Sequence, residues 1–348
     1  MADDALPGLP SQPADVAWPE QAWPRGKTGE HVDVAKLNAL LAGRFHAAQP
    51  QDIGETHALI VVQRGRMVLE HYAPGFDAQT TYRSWSVAKS ITHALVGILI
   101  RMGRISLDDP VMAPEWRSPG DPRQHITLDH LLRMSSGLAF VEDYEDDEVS
   151  DVLEMLYGPG RPDVGAYAAQ KALIHPPGRV CSYSSGTTNI ISRFLTKALG
   201  EAGAGFEAFM RDELFGPIGI HSARPKFDAA GTFIGSSFCF CTAEDFARFG
   251  LLYLRDGVWN GRRLLPEGWV DHARTPGPAQ PEEGLAYGGH WWLGLGGSGS
   301  FSANGYQGQF ILLVPQDDLI IVRHGASPLA ATEALRDWMG QLAVCFRT

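Results

Sequence analysis

The chain lacks the features that would tie it to a membrane, a nucleic acid or a metal. No run approaches the roughly 18 apolar residues that a spanning helix needs, so no membrane association is expected. Its 29 basic residues are outnumbered by 40 acidic ones, for a net charge of −11. Phosphate binding needs clustered Lys and Arg; no such cluster occurs, so nucleic acid is not an expected partner. Cysteine is scarce, with only Cys181, Cys239, Cys241 and Cys345. Cys239-x-Cys241 is too close for an ordinary disulfide and too sparse for a zinc site, so the cysteines read as small buried hydrophobes. The 12 histidines show no metal spacing, and neither metal nor cofactor is expected. The N-terminal stretch MADDALPGLPSQPADVAWPEQAWPRG has no basic start and no apolar run of a secretory signal. As it stands the sequence reads as cytoplasmic, with a periplasmic address the alternative had a leader preceded it. There is no G-x-S-x-G elbow, H-E-x-x-H or Walker A sequence. Gly294 to Gly299 matches G-x-G-x-x-G, but it precedes a strand instead of opening a helix, so the match is accidental.

What is present is an ordinary globular composition, 44% hydrophobic and 20% charged over 348 residues, enough for one large domain or two interlocked ones. After an irregular, Pro-rich leader over residues 1–30, a helix is expected at Val34–Phe45. Strands are expected at Ala58–Val62 and Arg66–His71 around a turn at Gln63-Arg64-Gly65. The clearest helix starts at Ser86. Val87, Ile91, Leu95, Ile98 and Met102 recur every three or four positions until Gly103 closes it. Further helices suit a Thr127-capped segment through Leu132, then Thr187–Leu199, Phe206–Leu214 and Ala243–Leu254, the last capped by Thr242. The acidic stretch Glu142–Asp151 reads as a solvent-facing loop. Short apolar strands are expected at Trp291–Leu295, Gln309–Val314 and Leu319–His324, then a helix from Ala330 to about Val344. Trp291 and Trp292 read as core more than as pocket lining. Strands at both ends with helices between predict an α/β fold. Its α/β domain would be built from residues 31–100 and 245–348, with a mainly helical domain inserted over 101–244.

Three segments carry chemistry. In Ser86-Val87-Ala88-Lys89 the i+3 spacing puts the lysine on the same side of a helix as the serine. A serine hydroxyl needs a base to become a nucleophile, and Lys89 can serve if burial keeps it neutral. The helix N-terminus favours the alkoxide. Twenty serines and six lysines give about 0.3 such pairs by chance, and the plain alternative is a capped helix with an exposed lysine. In Cys181-Ser182-Tyr183-Ser184-Ser185-Gly186 the Tyr183 phenol can relay a proton if a cation stabilises its anion, although Ser184 or Ser185 could simply cap a helix. In Ser302 to Gln309 the glycines allow close approach of a strand, whose N–H could face that of Ser86 as an oxyanion hole.

Together these elements resemble the serine β-lactamase and penicillin-binding-protein superfamily, with its S-x-x-K, Y-x-N/S and K-T-G-like motifs. The closer resemblance is to the class C-like branch, with the family VIII carboxylesterases and 6-aminohexanoate-dimer hydrolases. It runs from about residue 55 to 345 and includes Ser84 to Ser90, Glu142-Asp143-Tyr144, Tyr183 to Gly186, Gly235-Ser236-Ser237 and Asp245 to Gly250. The resemblance implies a β-lactamase-like fold, an antiparallel sheet flanked by helices plus the inserted helical domain. It implies Ser86 as nucleophile, Lys89 as the group that accepts or relays its proton, and Tyr183 as the group that protonates the leaving group and then activates water, with the acylation base being either Lys89 or Tyr183. Tyr144 would hydrogen-bond an amide leaving nitrogen, and Ser185 stands where the second motif often ends in Asn. Ala303-Asn304-Gly305 align with Lys-Thr-Gly, and the Tyr306 N–H is the expected second oxyanion donor.

With no lysine in that third motif, the cation that grips a β-lactam carboxylate is missing. The expected activity is therefore a serine esterase or amidase that forms an acyl-enzyme on a small ester or amide. A β-lactamase or D-alanyl-D-alanine peptidase is the enzymatic alternative. A penicillin-binding sensor that is acylated without turnover is the alternative of another class.

Overall fold

The computed structural model describes residues 6–45, 52–145, 150–282 and 284–348. Its frame is a seven-stranded antiparallel sheet that collects strands from both ends of the chain. Glu55–Gln63 pairs on one side with Arg66–Tyr72 across the Arg64-Gly65 turn. On its other side it pairs with Leu319–Ala326, almost at the C-terminus. The order continues through Gln309–Val314, Phe301–Gly305, Trp292–Leu293 and Ala286–Tyr287.

Side chains alternate across a strand, and here both faces are apolar. Ala58, Ile60 and Val62 face the large core beneath the helices Val87–Arg101 and Ala243–Leu254. Leu59 and Val61 face a second core under the helices Val34–Leu41 and Thr332–Cys345. Ile320 and Val322 repeat the first pattern, Leu319 and Ile321 the second. A two-sided sheet explains the near-continuous apolar strands. Between the sheet halves the chain is mainly helical, and its two longest helices there, Val87–Arg101 and Ser185–Leu199, have 15 residues each.

Most expected elements form, with shifted ends. The helix capped by Thr242 spans Ala243–Leu254 as expected, and the Thr242 hydroxyl accepts from the Asp245 N–H. The first helix stops at Leu41, short of Phe45. The helix expected over Phe206–Leu214 is Ala204–Met210 followed by a wider turn over Arg211–Phe215. The strand expected at Trp291–Leu295 shrinks to Trp292–Leu293, the two residues that find partners in the neighbouring strands. Three of the four cysteines are buried and Cys181 is half-buried; none is in a disulfide. Cys239 and Cys241 belong to a strand, Cys239–Thr242, of a small second sheet. That strand pairs with Thr81–Arg83, directly ahead of Ser86. Among the described residues no helix is long and apolar enough to cross a membrane.

Candidate active site

The chain enters the helix of Ser86 through a strained turn. Trp85 has a φ of 45°, a left-handed conformation that a bulky residue rarely adopts. The neighbours hold it there. The Ser84 N–H donates to the Cys239 carbonyl at 3.0 Å and its hydroxyl accepts from the Cys239 N–H at 2.9 Å. The Trp85 ring is wedged edge-on against Tyr144 and Tyr306, while the Arg83 guanidinium lies 4.7 Å over it. Ser86 then takes the N-cap position with no side-chain capping bond, which leaves its hydroxyl for other partners.

Lys89 is 1% exposed. Its ammonium donates to Ser86 Oγ at 2.9 Å, to Ser185 Oγ at 2.9 Å and to the Ser236 carbonyl at 3.0 Å. All three of its donors are therefore used within the protein. Burial pulls its pKa from 10.5 down to about 8, against the opposing pull of the Glu142 carboxylate. Tyr183 reaches the hydroxyl of Ser86, and the Lys89 ammonium sits 4.9 Å from its ring centroid. Burial, and then the Glu142 charge, push the Tyr183 phenol well above its usual range, so it is protonated at neutral pH. It is thus a neutral phenol in the resting site, not an anion held by a cation.

Glu142 departs from the sequence reading. Instead of facing solvent, its carboxylate accepts from the Ser185 N–H and hydroxyl, both at 2.6 Å, and from the Tyr144 hydroxyl at 3.3 Å. Ser185 opens the helix Ser185–Leu199, so the carboxylate also meets the positive end of that helix. Asp151 is likewise engaged, in an ion pair with Lys171, and residues 146–149 of the acidic stretch lie outside the described residues. The Ser236 carbonyl was the other hidden participant. A Gly-Ser-Ser triplet announces nothing about a carbonyl aimed at a lysine 147 residues away.

Gly305 brings the sheet to Ser86. A Cβ there would lie 2.5 Å from the Ser84 carbonyl oxygen, so only glycine permits this approach. Among the described residues the strand has no pairing on its outer side beyond Ser302. Among the described residues neither the Ser86 nor the Tyr306 N–H is taken by a protein acceptor. Ser86, Tyr144, Tyr183, Trp292 and Asn304 to Gly308 line one open cleft with a cavity volume of about 250 Å³. Among the described residues both polar atoms of the Asn304 amide lack a protein partner. Trp291 is core, as expected, but Trp292 lines the cleft beside Tyr183, their rings 5.1 Å apart. Ala303, in the place of the motif lysine, is buried in the strand. Among the described residues that line the cleft only Arg336 is cationic, and it is paired with Glu333. The structure thus brings Ser86, Lys89, Tyr183, Tyr144, Ser185, Asn304, Gly305 and Tyr306 to one place. A serine hydroxyl, a buried amine, a protonated phenol and two N–H groups around one cleft are an arrangement that can carry out acyl transfer.

Residues 52–344 match the family model described as Beta-lactamase. The chain is 26% identical over 324 residues to the 6-aminohexanoate-dimer hydrolase of Paenarthrobacter ureafaciens, covering 88% of this chain and 81% of that protein. It is 25% identical over 373 residues to penicillin-binding protein 4 of Amycolatopsis lactamdurans, covering 95% and 91%. The crystal structure of a family VIII carboxylesterase superposes with a TM-score of 0.67 at 13% identity, covering 91% and 99%, and so shares the fold.

Proposed function

The chain belongs to the beta-lactamase family, and from that premise we propose that it hydrolyses small esters or amides through an acyl-Ser86 intermediate. The observation that carries the reading is the 2.9 Å contact between Ser86 Oγ and a Lys89 amine whose burial brings its pKa to about 8. A useful fraction of that amine is neutral near physiological pH, which a general base requires.

In the acylation step neutral Lys89 takes the Ser86 proton while Oγ bonds to the carbonyl carbon. The carbonyl oxygen becomes an anion held by the N–H groups of Ser86 and Tyr306. Tyr183 gives its proton to the departing oxygen or nitrogen, the carbonyl–heteroatom bond breaks, and the Lys89 ammonium restores the phenol. Deacylation runs the same relay with water as nucleophile. Tyr144 and the unpartnered Asn304 amide orient the substrate. The buried Ala303 and the missing free cation favour esters and simple amides over β-lactams, and the relative named as a 6-aminohexanoate-dimer hydrolase supports amides among them.

The test is a panel of short-chain p-nitrophenyl esters, anilides and nitrocefin against wild type and Ser86→Ala. Ester turnover lost in Ser86→Ala supports the reading, and undiminished turnover in that variant sinks it. Fast nitrocefin hydrolysis would favour a β-lactamase. Stoichiometric labelling without release would favour a sensor.

A further inference from the structure

We propose that Arg323 is the positioning residue that sets the oxyanion donor of Tyr306, a role that rests on the hydrolase reading above. Arg323 lies in the strand Leu319–Ala326, is 0% exposed and does not line the cleft. Burial without a paired carboxylate is costly for a guanidinium. Burial alone shifts this one, down to about 9, so no acid compensates it and it still carries its charge at neutral pH. Carbonyls and hydroxyls of three separate segments solvate it instead. It donates to Gln307 O at 3.1 Å and Gly308 O at 2.7 Å, to Glu55 O at 2.5 Å, and to the hydroxyls of Ser327 at 2.9 Å and Thr56 at 3.3 Å.

Two of those acceptors belong to the turn that follows Tyr306. The guanidinium packs straight against Gly308, where a Cβ would lie 2.3 Å from Nη1. Held on that side, Gly308 donates its own N–H to the Gly305 carbonyl at 3.1 Å. In a trans peptide the carbonyl of one residue and the N–H of the next point in opposite directions. Fixing the Gly305 carbonyl inside the turn therefore turns the Tyr306 N–H outward, away from the turn. Gln309 supports the same turn more weakly through its amide on the Tyr306 carbonyl at 3.3 Å. The buried charge also adds positive potential beneath the place where the oxyanion forms.

The variants Arg323→Met and Arg323→Lys test this against wild type, with ester kinetics, binding of a boronic acid and thermal melting. A boronate adduct of Ser86 is tetrahedral and places an oxygen in the oxyanion hole, so its affinity reads the donors directly. In Arg323→Met, kcat should fall about 10- to 100-fold with KM nearly unchanged. Boronate affinity should fall by a similar factor, and the melting temperature should fall while the variant still folds, because the buried acceptors at Glu55, Thr56, Gln307, Gly308 and Ser327 lose their donor. Arg323→Lys should lie between, keeping charge without the forked geometry. Unchanged kcat, or a kcat loss with boronate affinity intact, would overturn the proposal. So would loss of folding in both variants, which would make Arg323 a structural cross-link. A wild type that binds boronate at Ser86 but turns over no ester would instead fail the hydrolase reading alone.

Discussion

At the scale of single residues, the electrostatics of the cleft turn on Lys89 and Glu142. The buried amine has a pKa lowered from 10.5 to about 8. Between those values the unfolded chain binds more protons than the folded one, so this group's contribution to stability rises with pH across that window. Below pH 8 the folded protein bears the cost of a desolvated ammonium, and kcat/KM should climb with pH through about 8 as the base becomes neutral. The Glu142 charge opposes the shift. Glu142→Gln should move the acid limb of kcat/KM to lower pH, because removing the carboxylate makes the ammonium easier to deprotonate. A pH–rate profile of the variant checks this; a limb that stays in place or moves upward contradicts the coupling. Ser86, Lys89 and Tyr183 were legible from spacing and resemblance. Glu142 was not, because six acidic residues among the seven of Glu142–Glu148 read as a solvated run. Its partner Ser185 lies 43 residues away, beyond any local pattern.

At the scale of elements, strong periodicity located the main helices and the central strands, whose partners supply the rest of each apolar face. The helix Ala243–Leu254 and the strand Gln309–Val314 have the bounds the pattern predicts. Short elements were hidden. Thr81–Arg83 and Cys239–Thr242 are too brief to show a period, and their pairing is a long-range event. Yet this small sheet holds Ser84 and, through it, the strained Trp85 ahead of Ser86. The approach of the strand Phe301–Gly305 makes a direct test. Gly305→Val would drive a side chain into the Ser84 carbonyl and separate the two oxyanion donors. We expect kcat to fall by at least tenfold with a stability loss of about 1–3 kcal/mol. Kinetics and melting measured together check it, and a fully active Gly305→Val would show that the close approach is dispensable.

At the scale of the whole molecule, the fold buries three histidines among the described residues in addition to Lys89. His93, His290 and His324 are each depressed below the usual imidazole range, foremost by burial, the latter two to about 3. Each binds its proton more readily in the unfolded chain, so its contribution is present above pH 6.5 and is lost as pH falls below that value. With three such groups the slope can reach about 4 kcal/mol per pH unit. The melting temperature should therefore drop steeply between pH 6 and pH 4, and a flat profile there would contradict the buried, neutral state of these rings. The same fold that tolerates this acid sensitivity keeps Lys89 dry.

The acyl-enzyme itself is the most direct object to measure. The protein should be mixed with a p-nitrophenyl ester, quenched in acid within the pre-steady state, digested and mapped by mass spectrometry. One acyl group should appear on the peptide that carries Ser86 and be absent from Ser86→Ala. An adduct on any other residue, or rapid ester hydrolysis with no adduct on Ser86, would contradict it.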